Sequence, residues 1–146
     1  MNADWSSVSL HSKLQQAGVL PTLQRLTVAA VLLTRPAHMT AEQVLNAARA
    51  QLPDISRATV YSTLQLFVRH GLLRELLIDG VATVYDSNLA PHHHFYNLDT
   101  GEVSDMPAQS LQVLGLPELA GDLELAEIDV VVRVRSRKSA DSATRA

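Results

Sequence analysis

The sequence predicts an α+β chain of two units: four helices closed by a β-hairpin, then a smaller unit of short strands. Three observations predict it. Apolar residues recur at helical spacing up to Gly71. The period then drops to two around Asp79-Gly80, the pair that favours a type I′ hairpin turn. Beyond a short polar stretch, residues 87–91, the segments "HFYNL", "EVSDM" and "EIDVVVRVRS" read as strands.

The elements follow in order. "SKLQQAGVL" ends a first helix, with Gly18 as its stop. Pro21 opens "PTLQRLTVAAVLLTR" as a second helix, because proline in the first turn loses no hydrogen bond there. In it Leu23, Leu26, Ala30 and Leu33 are spaced for one buried face. "RPAHM" interrupts the helical pattern. Thr40, followed three residues later by Gln43, is a capping box that starts "AEQVLNAARAQL", and Pro53 ends that helix. Ser56 caps "RATVYSTLQLFVRH", which Gly71 closes and in which Val60, Leu64, Phe67 and Val68 form an apolar stripe. The hairpin is "LLRELLIDGVATVYD". This order, over residues 1–86, is the outline of a winged helix-turn-helix, whose last helix enters the major groove while the hairpin lies along the backbone.

Residues 87–91 are read as a hinge, 92–136 as a small α/β dimerisation domain, and 137–146 as a disordered tail. Around Asp99–Gly101 two short strands turn back on each other, and "PAQSLQVLGL" reads as a short helix. Ile128, Val130, Val132 and Val134 share one face of the last strand. So small a unit rarely buries enough surface alone. Pairing with a second copy would relieve this, so a homodimer is expected.

Composition sets bounds. The chain has 146 residues, 47% of them apolar, enough for a core. No apolar run reaches the roughly 20 residues that span a bilayer, and the N-terminus lacks a basic-then-apolar signal pattern. A cytoplasmic protein with no membrane partner is expected. The absence of cysteine excludes disulfides, thiolate zinc sites and thiol catalysis. Any metal must be held by nitrogen and oxygen. The net charge of −3 is unevenly spread. Residues 1–90 carry seven Lys/Arg and six Asp/Glu, whereas residues 99–129 carry eight acids and no Lys or Arg. That acidic stretch suits cations and would repel phosphate.

On the fourth helix Ser56, Arg57, Thr59, Tyr61, Ser62 and Gln65 fall on or near the polar side, over the turns that meet base edges in a groove-entering helix. Arg57 could chelate guanine O6 and N7, worth roughly 1–3 kcal/mol of discrimination. Tyr61 offers a ring to a thymine methyl and a hydroxyl to a phosphate. Arg25, His11 and Lys13 are candidates for backbone contact. The plainer alternative is a solvated Arg57 and a half-buried core ring at Tyr61.

The run "HHH" raises a second chemistry. In a strand, His92 and His94 share one face and His93 looks to the other. Two imidazoles at i and i+2 form a pincer for a divalent cation. Asp86 stands just before the hinge, Asp105 could sit on a neighbouring strand, and His38 lies in the break between helices two and three. Three imidazoles and two carboxylates suit Fe(II), Mn(II) or Zn(II), and softness alone does not choose between them. A lone loop histidine such as His38 is most often simply solvated, and a lone Asp86 most often a strand-end residue. The chain has no glycine-rich phosphate loop, no HExxH and no evident general base beside an open site. It is therefore read as no enzyme, with a small His/Asp centre activating water as the remote alternative.

Taken together, "AHMTAEQV", "ISRATVYSTLQLFVRHGLLRE", "VYDSN" and "HHHFYNLDTGEVSD" resemble the ferric-uptake-regulator (Fur) superfamily of metal-dependent repressors. The resemblance covers most of residues 12–135. It implies a winged-helix DNA-binding domain, a dimerisation domain, double-stranded operator DNA as partner and a metal at the hinge on His38, Asp86, His92, His94 and Asp105. The assignment of His38 owes most to the resemblance. It further implies a second, more variable metal site drawing on His93; there Asp129 stands where many members have histidine, which weakens that site. The CxxC pairs that hold structural zinc in many members are missing, so the dimer must stand on apolar packing. The absence of cysteine, with "HHH", is similar to the iron-response-regulator (Irr) branch, which implies haem responsiveness through the histidine run. Asp105, where iron-uptake repressors usually place Glu, resembles the peroxide-sensing branch, which implies oxidation of His38 or His92. Both branches stay open from sequence.

Overall fold

The computed structural model describes residues 10–78, 80 and 82–137. The chain divides into two compact units, the first ending at Leu89 and the second beginning at Ala90.

The first unit opens with α1, Leu10–Gln16. Gly18, at φ +78°, ends it, with Val19 N–H donating to Leu14 O at 2.8 Å and Gly18 N–H to Gln15 O at 3.0 Å. These two bonds close the orphan carbonyls of the last turn. Helix α2, Leu23–Leu32, is capped by Thr22, whose hydroxyl accepts from Arg25 N–H. Pro21 therefore precedes the cap and does not lie in the first turn, because a hydroxyl at residue 22 can satisfy an N–H that proline cannot. The buried stripe of α2 also differs from the expected one. Thr27, Val28, Ala29 and Leu32 are buried while Leu23 is exposed. "TVAAVLL" is apolar nearly all round, so periodicity alone left the helix's rotation open.

Residues His38–Thr40, expected only as a break, form a strand, β1. Thr40 then caps α3, Ala41–Gln51, through the reciprocal box with Gln43. Leu52 caps its end, one residue before Pro53. Helix α4, Arg57–Arg69, is capped by Ser56 and closed at Gly71, with Val60, Leu64 and Phe67 fully buried. The hairpin strands are β2, Arg74–Leu76, and β3, Val84–Asp86. Both pair antiparallel with neighbours in the order β1-β3-β2. Gly80 has the expected positive φ, while its turn partner Asp79 lies outside the described residues. Helices packed round Leu14, Val28, Leu45, Leu64 and Phe67, with this three-stranded sheet, make a winged helix.

In the second unit β4, His92–Asn97, is the central strand. On one side it pairs antiparallel with β5, Val103–Pro107; on the other it pairs parallel with β6, Val131–Val134. The helix expected over 107–116 reduces to one 3-10 turn, Ala108–Ser110. Gly115, at φ +80°, and Pro117 both oppose helix there. Most of the expected tail, residues 138–146, lies outside the described residues.

Candidate functional site

Two sets of metal-capable side chains stand on these sheets, one in each unit. In the first, the β1–β3 register sets His38 directly opposite Asp86. His38 Nε2 lies 3.2 Å from Asp86 Oδ2. Asp86 is 1% exposed, and its other oxygen accepts from Asn88 N–H at 2.8 Å. A buried carboxylate is costly unless it is hydrogen-bonded and faces positive charge. The short loop after β3 is fixed by Ser87, whose Oγ accepts from Ala37 N–H at 2.9 Å.

In the second unit the β4–β5 register pairs His94 with Asp105, and His92 lies two residues back on the same face. Asp105 Oδ1 is 3.1 Å from His92 Nε2 and 3.9 Å from His94 Nε2. The two rings meet edge-on with centroids 4.5 Å apart. His92, His94 and Asp105 can each offer a ligand atom to one ion, and these atoms lie within 4.8 Å of one another.

The chemistry of this trio fits a divalent cation. His92 Nδ1 lies 2.6 Å from Ala90 O. A carbonyl can only accept, so Nδ1 carries a proton. Nε2 then turns either a lone pair or a second proton toward the Asp105 carboxylate. Two lone pairs face to face would repel, so the arrangement is favourable only with a proton or a metal ion between nitrogen and oxygen. An imidazole whose Nδ1–H is held by a carbonyl while Nε2 faces outward is the orientation metal-ligating histidines adopt.

His93 is different. Its Nδ1 accepts from Val130 N–H at 3.3 Å. A neutral ring then carries its proton on Nε2, so neither nitrogen presents a lone pair. Asp129 is exposed, and among the described residues no group of three or more donors includes His93 or Asp129.

On α4, Arg57, Tyr61, Ser62 and Gln65 are exposed, so Tyr61 is not a core ring. Ser56 and Thr59 are occupied in the cap: Ser56 Oγ accepts from Thr59 N–H and donates to Thr59 Oγ1. Arg25 donates from Nη1 to Leu20 O at 3.0 Å, which holds its guanidinium at the head of α2. His11 is exposed and Lys13 half-buried on α1. Two carboxylates went unnoticed in the sequence. Glu42 of α3 forms an ion pair with Arg57, and Glu75 of β2 accepts from Gln65 Nε2 at 3.4 Å. Neither neighbour is near in sequence, so no local pattern could have indicated them. Tyr85, on β3, is buried in the core; burial above all, and then the nearby Glu75 carboxylate, push its phenol above the ordinary value of 10.0. It therefore acts as a neutral group.

Fold and donors together define a class: winged-helix chains that carry a nitrogen-and-oxygen metal cluster. Residues 16–131 match the model of the ferric uptake regulator family, and the chain belongs to that family. It is similar to the peroxide-responsive repressor PerR of Staphylococcus aureus (strain USA300), 32% identical over 94 residues, 64% of each chain. The chain thus matches somewhat less than two thirds of the length of these curated relatives. Among solved structures it is similar to the ferric uptake regulator from Pseudomonas aeruginosa with manganese, at 26% identity and a TM-score of 0.64, covering 88% of this chain and 98% of that one. The Campylobacter jejuni peroxide stress regulator, at 21% identity, shares the fold with a TM-score of 0.59, covering 90% of this chain and 96% of that one. Among the described residues no helix is long and apolar enough to cross a membrane.

Proposed function

We propose that this chain is a metal-dependent, DNA-binding transcriptional repressor of iron- or peroxide-response genes, acting in the cytoplasm as a homodimer and not as an enzyme. Residues 1–86 read DNA, residues 92–136 dimerise, and 87–91 connect them. The observation that carries the reading is the Asp105 carboxylate held against His92 Nε2 and His94 Nε2, with the His92 tautomer fixed by Ala90 O. Family membership and the peroxide-responsive repressor among its relatives support the regulatory role. The haem-responsive alternative finds no specific support among them, and the remote enzymatic one finds none either.

His38 and Asp86 would complete the ligand set with His92, His94 and Asp105. The charge and donor count support this: neither set fills a coordination sphere alone, and together they offer three imidazoles and two carboxylates, suited to Fe(II), Mn(II) or Zn(II). When bound, the cation supplies the positive charge that both carboxylates require. Asp86 sits at the end of the wing strand and Asp105 on the second unit's sheet. Ligands from both units would restrict the angle at which a dimer presents its two recognition helices. Successive major grooves accept only one such spacing, about one helical turn. A ligand shifts this equilibrium only by its differential affinity for the competent form.

The test is to select a palindromic duplex from a random pool with Mn(II) present, then measure its affinity with Mn(II) and with chelator. Tighter binding by 10-fold or more with Mn(II) is expected. Equal affinity in both conditions would refute metal gating.

A further inference from the structure

Arg57, the side chain best suited to read guanine, does not stand alone in the structure. It opens α4, and its Nη1 forms an ion pair with Oε1 of Glu42 in the first turn of α3. The sequence did not single out Glu42, and neither the proposed metal site nor the proposed DNA contacts use it. We propose that Glu42 is a specificity-determining residue: its carboxylate directs Arg57 toward the neutral edge of a guanine and away from the anionic phosphates. The inference rests on the DNA-binding reading above and names a residue that would make that binding selective.

The fold does not need this pair. Both side chains are more than half exposed, and ion pairs in that position add little to stability. Val44, Leu45, Val60 and Leu64 already join α3 and α4 in one apolar core. What the carboxylate changes is the ligand that Arg57 prefers. A free guanidinium takes phosphate readily, since charge and fork both match. Such a contact carries no sequence information. With Glu42 beside the guanidinium, an approaching phosphate meets a like charge, whereas guanine O6 and N7 are uncharged acceptors. A repulsive element of this kind raises selectivity by penalising the wrong partner. The pair also restricts a long side chain before DNA arrives, so less entropy is lost on binding. Glu42 takes Nη1, which leaves Nε and Nη2 as the edge for O6 and N7. A similar arrangement recurs further along α4, where Gln65 Nε2 donates to Glu75 of β2. Two side chains of the recognition surface are thus each held by a carboxylate from a neighbouring element. Residues 1–90 carry seven Lys/Arg against six Asp/Glu, so their selectivity must come from placed charges more than from total charge.

The experiment compares affinity for the selected operator and for a scrambled duplex, with Mn(II), between about 50 and 200 mM salt. Glu42→Gln keeps the size of the side chain and removes its charge. Glu42 is exposed, so folding should survive, and circular dichroism checks it. Discrimination between the two duplexes is expected to fall about 10-fold, within the range that one bidentate base contact carries. Most of that loss should come from tighter binding of the scrambled duplex. Its slope of log affinity against log salt should steepen by about 0.9, as Arg57 becomes free to neutralise a phosphate. In an Arg57→Gln background, where the pair is already broken, Glu42→Gln should leave discrimination as it was. Unchanged discrimination in a folded Glu42→Gln protein would overturn the inference and leave the DNA-binding reading standing. So would equal gains for both duplexes, or the same loss with and without Arg57, since Glu42 would then act only as a general repulsive charge. A wild type that binds operator and scrambled duplex alike would also overturn the inference alone. Should the wild type bind no duplex at all, the DNA-binding reading and the role of Glu42 fall together.

Discussion

At the scale of single residues, Asp105 is the most informative side chain. Its Oδ1 stands between two imidazole nitrogens, and it is partly exposed, so the fold does not depend on burying it. Asp105→Asn removes the negative charge while preserving shape. Mn(II) affinity measured by calorimetry should fall at least about 10-fold, as even outer-shell partners of metal ligands cost 10–100-fold. Metal-free stability should change by no more than about 0.5 kcal/mol, typical of a surface substitution. A stability loss of several kcal/mol with metal affinity intact would mean that Asp105 serves the fold and not a cation. His93 offers the converse case. Because its Nδ1 already accepts Val130 N–H, it belongs to the sheet between β4 and β6 more than to any second ion.

At the scale of elements, the caps and stops decide where helices begin and end. Thr40→Ala removes the hydroxyl that accepts Gln43 N–H and breaks the capping box. It should cost about 1 kcal/mol in urea denaturation. Gly71→Ala meets no steric obstacle but must hold a side chain at φ +71°, costing a further 1–2 kcal/mol or so. A neutral result for both would mean that tertiary packing alone defines these helices. Such signals are why most of the first unit was legible: Gly18, Thr40, Ser56, Pro53 and Gly71 each impose a local geometry that needs no knowledge of the fold. Strand β1 was not legible, because three residues cannot display a period, and it exists only through its register with β3. The same limit applied to His38. Its place opposite Asp86 follows from a pairing across nearly fifty residues, which family resemblance conveyed and local pattern could not. Within β4 the alternation of His92 and His94 was readable, since a period of two needs only a strand. The partners Glu42 and Glu75 were unreadable for the reason β1 was.

At the scale of the whole molecule, the unresolved demand is apolar surface. Val113, Leu114, Leu116, Leu119, Leu123 and Leu125 are all exposed, Leu114 at 77%, in a stretch without regular structure. Clusters of this kind mark interaction sites in soluble proteins. A short apolar segment gains stability chiefly from packing its apolar side chains, and among the described residues of a single copy these leucines stay exposed. The homodimer proposed above would supply that face. The chain without cysteine has no metal-thiolate staple to replace it. Leu114→Ser combined with Leu123→Ser should therefore shift sedimentation from dimer toward monomer at micromolar concentration. Operator affinity should fall steeply with it, because two half-sites can no longer be engaged together. The trio of His92, His94 and Asp105 lies within one copy, so Mn(II) binding by the monomer should persist, though weakened where dimerisation helps order the sheet. A double variant that remains dimeric and binds operator as before would show that these leucines are not the contact, and would leave the exposed edges of β5 and β6 as the place to seek it.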